Sequence, residues 1–230
     1  MSLIRARLAI PLSSSCMHLR QVTAQPLALI CLLLAYLLLS GCATTPPAPP
    51  PASNQQAWTQ RQQQLQCAAQ WSLQGRMALA AQGKGWSARL AWQQHGDDFD
   101  MHLSGPLGWG GFRLRGDRAH VNLSGDGKSY DFQESPERVI QREFGYDIPV
   151  LGLRYWMLGI NAPDEPFTYQ LNPWGQPQQL QQSGWTIDYT EYFAGDVVGL
   201  PKRLTMIRPG VRIKVLVDDW QLPTPICAAG

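Results

Sequence analysis

From Trp71 onward the chain alternates apolar and polar positions with a period of two, the pattern of half-buried strands. Trp71-Leu73 and Met77-Leu79 belong to a first strand. Trp86-Ala88-Leu90-Trp92 line one face of a second, with Ser87, Arg89 and Gln93 on the other. Phe99-Met101-Leu103 then oppose Asp98, Asp100 and His102, Phe112-Leu114 oppose Arg113 and Arg115, and Val121-Leu123 oppose Asn122 and Ser124. Tyr130 and Phe132 follow a Gly125-Asp126-Gly127 turn, and the short Gly- and Asp-rich connectors predict antiparallel hairpins. The period breaks at Ser135-Pro136-Glu137, which supplies an N-cap, a proline at the first helical position and an acid in the first turn. A helix is predicted from there to Phe144, ended by Gly145, and a second from Val150 to Leu158, ended by Gly159. Strands resume at Phe167-Tyr169-Leu171, Trp185-Ile187-Tyr189, Leu204-Met206 and Val211-Ile213-Val215-Val217.

This reads as a mainly β chain with a small helical insert: about ten or eleven strands in one antiparallel meander. So large a sheet must curl, split or close. Its apolar face carries bulky side chains from every strand, and two short helices are too few to cover it. The expected result is a strongly curved sheet closed loosely by short helices, with an interior that stays partly open, the problem that ligand-enclosing barrels also solve. Upstream, Gln55 to Gln70 is Gln-rich with Trp58, Leu65, Cys67 and Ala69, at best a short amphipathic helix.

The N-terminal residues are of another kind. Arg5, Arg7 and Arg20 precede an apolar run from Leu27 to Leu39, and Leu39-Ser40-Gly41-Cys42 resembles the lipobox of bacterial lipoproteins. A bilayer-spanning helix needs about 20 apolar residues, so this shorter run with a small-residue cleavage site is a signal peptide, cut before Cys42 to leave that thiol for lipid attachment. Met17 serves as a start as well as Met1. Residues 43–53 contain Pro46, Pro47, Pro49, Pro50 and Pro51, a run that favours extended polyproline II and makes a semi-rigid tether.

Cleavage also changes the charge. The signal holds three of the 19 Lys+Arg and no acidic residue, so the mature chain sets 16 basic against 17 acidic residues. Neither a basic patch for nucleic acid nor a block of like charge is present. Of the five cysteines, Cys67 and Cys227 are left, without metal-ligand spacing. Two readings stand: a disulfide in an oxidising compartment, or two independent thiols. Catalysis has little support. Only His95, His102 and His120 survive processing, Gly-x-Ser-x-Gly is absent, and Asp97, Asp98 and Asp100 sit at a strand start where charge is ordinarily solvated.

Several segments resemble the LolB family of outer-membrane lipoproteins. They are Gln74-Gly75-Arg76, Ala91-Trp92-Gln93-Gln94, Pro106-Leu107-Gly108, Ile148-Pro149, Leu153-Arg154-Tyr155-Trp156-Met157-Leu158-Gly159, Arg212-Ile213-Lys214 and Asp219-Trp220. The resemblance implies an unclosed barrel with a helical lid and an apolar cavity, no cofactor and no catalysis. It also implies receipt of lipoproteins from the periplasmic carrier LolA and their insertion into the outer membrane. The implied organisation is a signal peptide over 1–41, a lipidated cysteine and tether over 42–54, a lipid-binding half-barrel over 55–222 and a flexible tail over 223–230. The address is the periplasmic face of the outer membrane, since Ala43 replaces the Asp that commonly retains lipoproteins in the inner membrane. The partners are lipoprotein acyl chains, LolA and the inner leaflet of the outer membrane, met by a monomer. The competing reading is a structural or assembly-scaffold lipoprotein with a filled core and no lipid cargo.

On the first reading the apolar strand face lines the acyl cavity: Met77, Leu79, Leu90, Trp92, Phe99, Met101, Leu103, Phe112, Leu114, Ile213 and Val215, with Tyr155 or Trp156 closing it from the lid. On the second the same positions form an ordinary dry core. The connection Gly105-Pro106-Leu107-Gly108-Trp109-Gly110-Gly111 is a turn with two bulky apolar residues and no charge, whereas turn tips are normally polar. Leu107 and Trp109 either fold back onto the barrel rim or probe the membrane, where Trp suits the headgroup level.

Overall fold

The computed structural model describes residues 54–105, 111–194 and 199–223. Helix α1 (Asn54–Gln66) leads into strands β1 (Gln70–Ala81), β2 (Lys84–His95), β3 (Asp98–Ser104), β4 (Gly111–Gly116), β5 (Val121–Gly125) and β6 (Lys128–Phe132). Helices α2 (Pro136–Phe144) and α3 (Val150–Met157) follow. The chain ends its described part with β7 (Phe167–Leu171), β8 (Pro177–Gln182), β9 (Trp185–Tyr192), β10 (Pro201–Arg208) and β11 (Val211–Gln221). All eleven strands form one antiparallel sheet in the order β6-β5-β4-β3-β2-β1-β11-β10-β9-β8-β7. It is two meanders joined where the last strand returns to the first, and β6 and β7 are left as unpaired edges. The two helices lie in sequence between those edges, so the topology makes them the cover of an unclosed barrel.

Alternation sets which face is buried. In β2 the even-numbered positions from Ala88 to Gln94 are buried and the odd ones exposed, and β3 buries Phe99, Met101 and Leu103. A slip of one residue would turn that whole set to solvent. Where β1 and β11 pair, the register shifts between Gln74 and Gly75. A Cβ at Gly75 would stand 2.4 Å from the Leu216 carbonyl oxygen, so the close approach at this bulge admits glycine alone.

The helices start and stop near the positions that Ser135, Gly145, Pro149 and Gly159 predict. Gly145 closes α2 in the left-handed region (φ 77°) and donates its N–H to the Gln141 carbonyl. One detail differs: the Ser135 side chain makes no capping bond. Glu137 instead accepts the Leu151 N–H at 2.9 Å, so the first-turn acid of α2 caps α3 and fixes the angle between the two. Strand β8 is the one element that alternation does not reveal, because Pro177-Gln178-Gln179-Leu180-Gln181-Gln182 has Leu180 as its sole bulky apolar residue.

Helix α1 packs on β7. Trp58, Arg61 and Leu65 form its buried stripe, at the i, i+3, i+7 spacing of one helix face, and the Trp58 ring lies 5.1 Å from Tyr169. Arg61 reaches the Leu158 carbonyl at 2.8 Å and the Gly199 carbonyl at 3.0 Å. A cation there satisfies the Leu158 carbonyl left open where α3 ends and ties it to the segment before β10. Cys67, exposed just after α1, is disulfide-bonded, and Cys227 lies outside the described residues.

Candidate lipid-binding cavity

Between the concave sheet face and the two central helices lies a cavity of about 100 Å³. The sheet contributes Met77 and Leu79 from β1, Trp86, Leu90 and Trp92 from β2, Met101 and Leu103 from β3, Phe112 and Leu114 from β4, and Met206, Ile213 and Val215 from β10 and β11. The roof is Ile140 and Phe144 of α2, Tyr146 and Ile148 of the link, and Val150, Leu153 and Met157 of α3. No charged side chain lines it. Burying an ion in such a site is costly without a partner, while an apolar guest is favoured by about 25 cal/mol per Å² removed from water.

Ten of the thirteen expected lining residues share this wall; three do not. Phe99 is buried, but it pairs with Gln94 and Gly116 at the opposite end of the sheet from the β1–β2 turn, in filled core. Trp156 is fully buried on the other side of α3, where its indole N–H donates to Gln182 at 2.9 Å and its ring lies 6.2 Å from Trp185. Tyr155 sits beneath Arg154, on a polar pocket beside Asp97 and Cys67. The cause is helical geometry. Positions 150, 153 and 157 share one face of α3, so 155 and 156 must point elsewhere.

The lining residues absent from the expected set are Trp86, Met206, the α2 side of the roof and Val150, Leu153 and Met157 of α3. Val139 and Ile140 are buried, and Phe144, one turn beyond Ile140, falls on the cavity face. The spacing Ile140–Phe144 was the available signal, since i, i+4 positions lie on one face.

Ion pairs hold this roof at its two ends. Arg154 of α3 donates to the Gly96 carbonyl at 2.6 Å and to Asp97 at 2.7 Å, at the β2–β3 turn. Arg118 binds the same carboxylate at 2.8 Å, and its hydrogen bond, with that of Arg154, holds Asp97 below the usual carboxylate range. At the other end Arg208 of β10 donates to both the carbonyl and the carboxylate of Asp147, between α2 and α3. The Arg208–Asp147 pair is largely exposed and worth little in isolation, whereas Arg154 is mostly buried against the exposed Asp97 carboxylate.

Outside the cavity mouth an open groove of about 540 Å³ runs past Trp86, Leu103, Phe112 and Phe144 to Leu123 and Tyr130. Phe112 lies 4.9 Å from Phe144 and 6.2 Å from Trp86. The three rings are shared by cavity and groove, and so form the partition between them. The groove also includes Gly105 and Gly111, which flank the β3–β4 connection. Leu107 and Trp109 themselves lie outside the described residues, as does Cys42.

The candidate chemistry residues fall elsewhere. Asp100 is paired with Arg113 and Arg115 on the convex face, His102 is exposed there, and the described residues contain no cluster of three metal-ligating side chains.

A family model described as "Outer membrane lipoprotein LolB" matches residues 69–220. The LolB protein of Nitrosococcus oceani is 35% identical over 192 residues, which is 83% of this chain and 96% of that one. That of Chromohalobacter salexigens is 33% identical over 185 residues, 80% and 86% of the two chains. Among solved structures, a LolA superfamily protein from Nitrosomonas europaea is similar with a TM-score of 0.47 at 13% identity, over 76% of this chain and 97% of that one. By the extent of the sequence matches, the chain belongs to the LolB family of outer-membrane lipoproteins.

Proposed function

We propose that the charge-free cavity under α2 and α3 is where the acyl chains of cargo lipoproteins are received. As a LolB protein the chain takes lipoproteins from LolA for insertion into the outer membrane, and it does so without catalysis. The observation that carries the site is the pairing of a wall of bulky apolar side chains with a roof attached by surface ion pairs. One long acyl chain gains on the order of 10 kcal/mol on leaving water, so transfer needs only a cavity that holds it better than the donor and worse than a bilayer. No nucleotide is required at that step.

At about 100 Å³ the cavity is smaller than the ~300–1,000 Å³ of an ordinary ligand pocket. Cargo therefore enters by displacing the roof and the three rings at the mouth, and the latches at Asp97 and Asp147 are what it must disturb. Anchoring through Cys42 and the tether keeps the body at the membrane, with Leu107 and Trp109 as the membrane probe that lets cargo leave. Burying one leucine is worth ~1.5–3 kcal/mol, enough to orient a tethered body and too little to anchor it.

The test is binding of a fluorescent fatty-acid analogue to the purified protein and to Leu90→Glu. The parent should bind and the variant should not, with both folded by circular dichroism. Equal binding by both would remove the cavity from the mechanism.

A further inference from the structure

The segment Arg212-Ile213-Lys214 is only partly explained by the cavity. Ile213 points into it, and the residues on either side point out. On the convex face at that end of the sheet, Arg212 and Lys214 border an open trough of about 440 Å³ whose other walls are Ala78, Leu79, Ala80, Gly85, Trp86 and Ser87. Cross-strand register explains the hollow. Lys214 stands opposite Ala78, Arg212 opposite Ala80, and Ser87 and Gly85 flank those alanines on β2. Four small residues make the floor, so the two long cations rise along one side of it.

Neither cation is neutralised. Arg212 and Lys214 are exposed and form no ion pair among the described residues, unlike Arg76, Arg113, Arg115 and Arg203 of the same convex face. Their neighbours on β10 are Thr205 and Ile207, and on β1 the alanines, so register brings no carboxylate beside them. Arg89 on β2, likewise without an ion pair among the described residues, adds positive charge to the same face, while Asp188 on β9 lies beyond Thr205 and accepts from Gln179 at 2.8 Å. At the rim stands Trp86, 38% exposed, a residue type that prefers the headgroup level of a membrane.

We propose that this trough is a docking site for the phosphate of an anionic phospholipid, placed so that the cavity mouth faces the bilayer surface. The hollow gives a headgroup room to reach both cations, and the exposed indole favours a lipid surface over an acidic protein face. The trough lies at the end of the sheet where β1 turns into β2 and β3 into β4, since Ala81–Lys84 and Ser104–Gly111 are the last pairs of their ladders. A headgroup held there sets the partition rings at the membrane surface. The inference rests on the lipid-transfer reading only for its purpose; the binding itself is measured apart from it.

The test uses the mature chain carrying Cys42→Ala, so that no covalent anchor competes, with vesicles of phosphatidylcholine with and without phosphatidylglycerol. The parent should favour the anionic vesicles and lose that preference as salt rises. Arg212→Gln with Lys214→Gln should weaken binding to anionic vesicles about twenty-five-fold, the product of about fivefold for each cation near such a surface. Binding to pure phosphatidylcholine and uptake of the fatty-acid probe should not change. Anionic-vesicle binding equal to that of the parent would overturn the site. So would a loss confined to binding of the purified carrier protein, which would make the occupant an acidic protein face. Failure of probe uptake in the parent would instead strike the cavity reading and leave this one standing on its vesicle data.

Discussion

One sheet face does two different jobs in its two halves. Under β1–β4 and the adjoining ends of β10 and β11, bulky side chains face a void, and the cover is α2 with one stripe of α3. Under β7–β10 the same kind of face is filled: Leu180, Ile187 and Leu204 are fully buried, as are Trp156 and Trp185, and Trp58 and Leu65 of α1 are buried beside β7. Polar fixings differ too. The filled half is tied by interior bonds, Trp156 to Gln182 at 2.9 Å, the Tyr189 hydroxyl to the Trp156 carbonyl at 2.8 Å, and Arg61 to α3. The cavity half is tied by ion pairs to the exposed carboxylates of Asp97 and Asp147. Helix α3 is shared, with 150, 153 and 157 over the void and Trp156 in the packed side. A half packed solid thus adjoins a half with a void beneath its cover. This is a physical way to let a lid move without unfolding the domain.

The comparison makes the largest mutational effect fall where no ligand goes. Trp156→Ala removes a fully buried indole and one of the hydrogen bonds of Gln182, and should cost about 3–5 kcal/mol of stability, read by chemical denaturation. Probe affinity of the molecules still folded should be nearly unchanged. Leu153→Ala, half-buried against an existing void, should cost about 2 kcal/mol at most, yet change probe affinity severalfold. If the two substitutions moved affinity equally, the halves would not be separate.

A smaller effect should come from the latch. Arg208→Ala frees Asp147 and, the pair being exposed, should cost at most about 1 kcal/mol. It should speed probe entry in stopped flow more than it changes stability. Arg76→Ala, which breaks an ion pair remote from the roof, should leave entry rates alone.

The halves should also fail at opposite ends of the pH scale. Burial raises the hydroxyls of Tyr189 and Tyr192 in the filled half above their ordinary value of 10.0. Their contribution is complete below that value and is lost as pH rises through the raised one. Asp97 on the latch side is held below its ordinary 3.8 by Arg118 and Arg154. Its contribution is present above that value and is lost as pH falls through the lowered one. Acid should thus loosen the lid before the core. Hydrogen exchange at α3 against β9, followed from neutral toward pH 3, is the check, and equal loss of protection would argue against two units.

How much of this was legible follows the same division. The cavity wall reads directly from period-two alternation, because each of those strands is wet on one face and apolar on the other. The filled half reads poorly. Strand β8 is held by Gln182, buried and bonded to Trp156, Ala162 and Glu165, and a buried glutamine looks like a solvated one in sequence. Helix α3 misleads for a related cause. It is apolar on two faces, so a stripe cannot say which face meets the void, and Tyr155 and Trp156 fall away from it. Arg61 is a cation inside the core, legible only through its i+3 spacing from Trp58.

The most direct measurement is photo-crosslinking with a diazirine-bearing palmitate, mapped by mass spectrometry on the purified protein. Label should appear on Met77, Leu90, Leu153, Met206 or Ile213, with competition by unlabelled palmitate. Label concentrated on Trp58, Trp156, Leu180 or Trp185, or spread over the surface without competition, would contradict an acyl site in the lidded half.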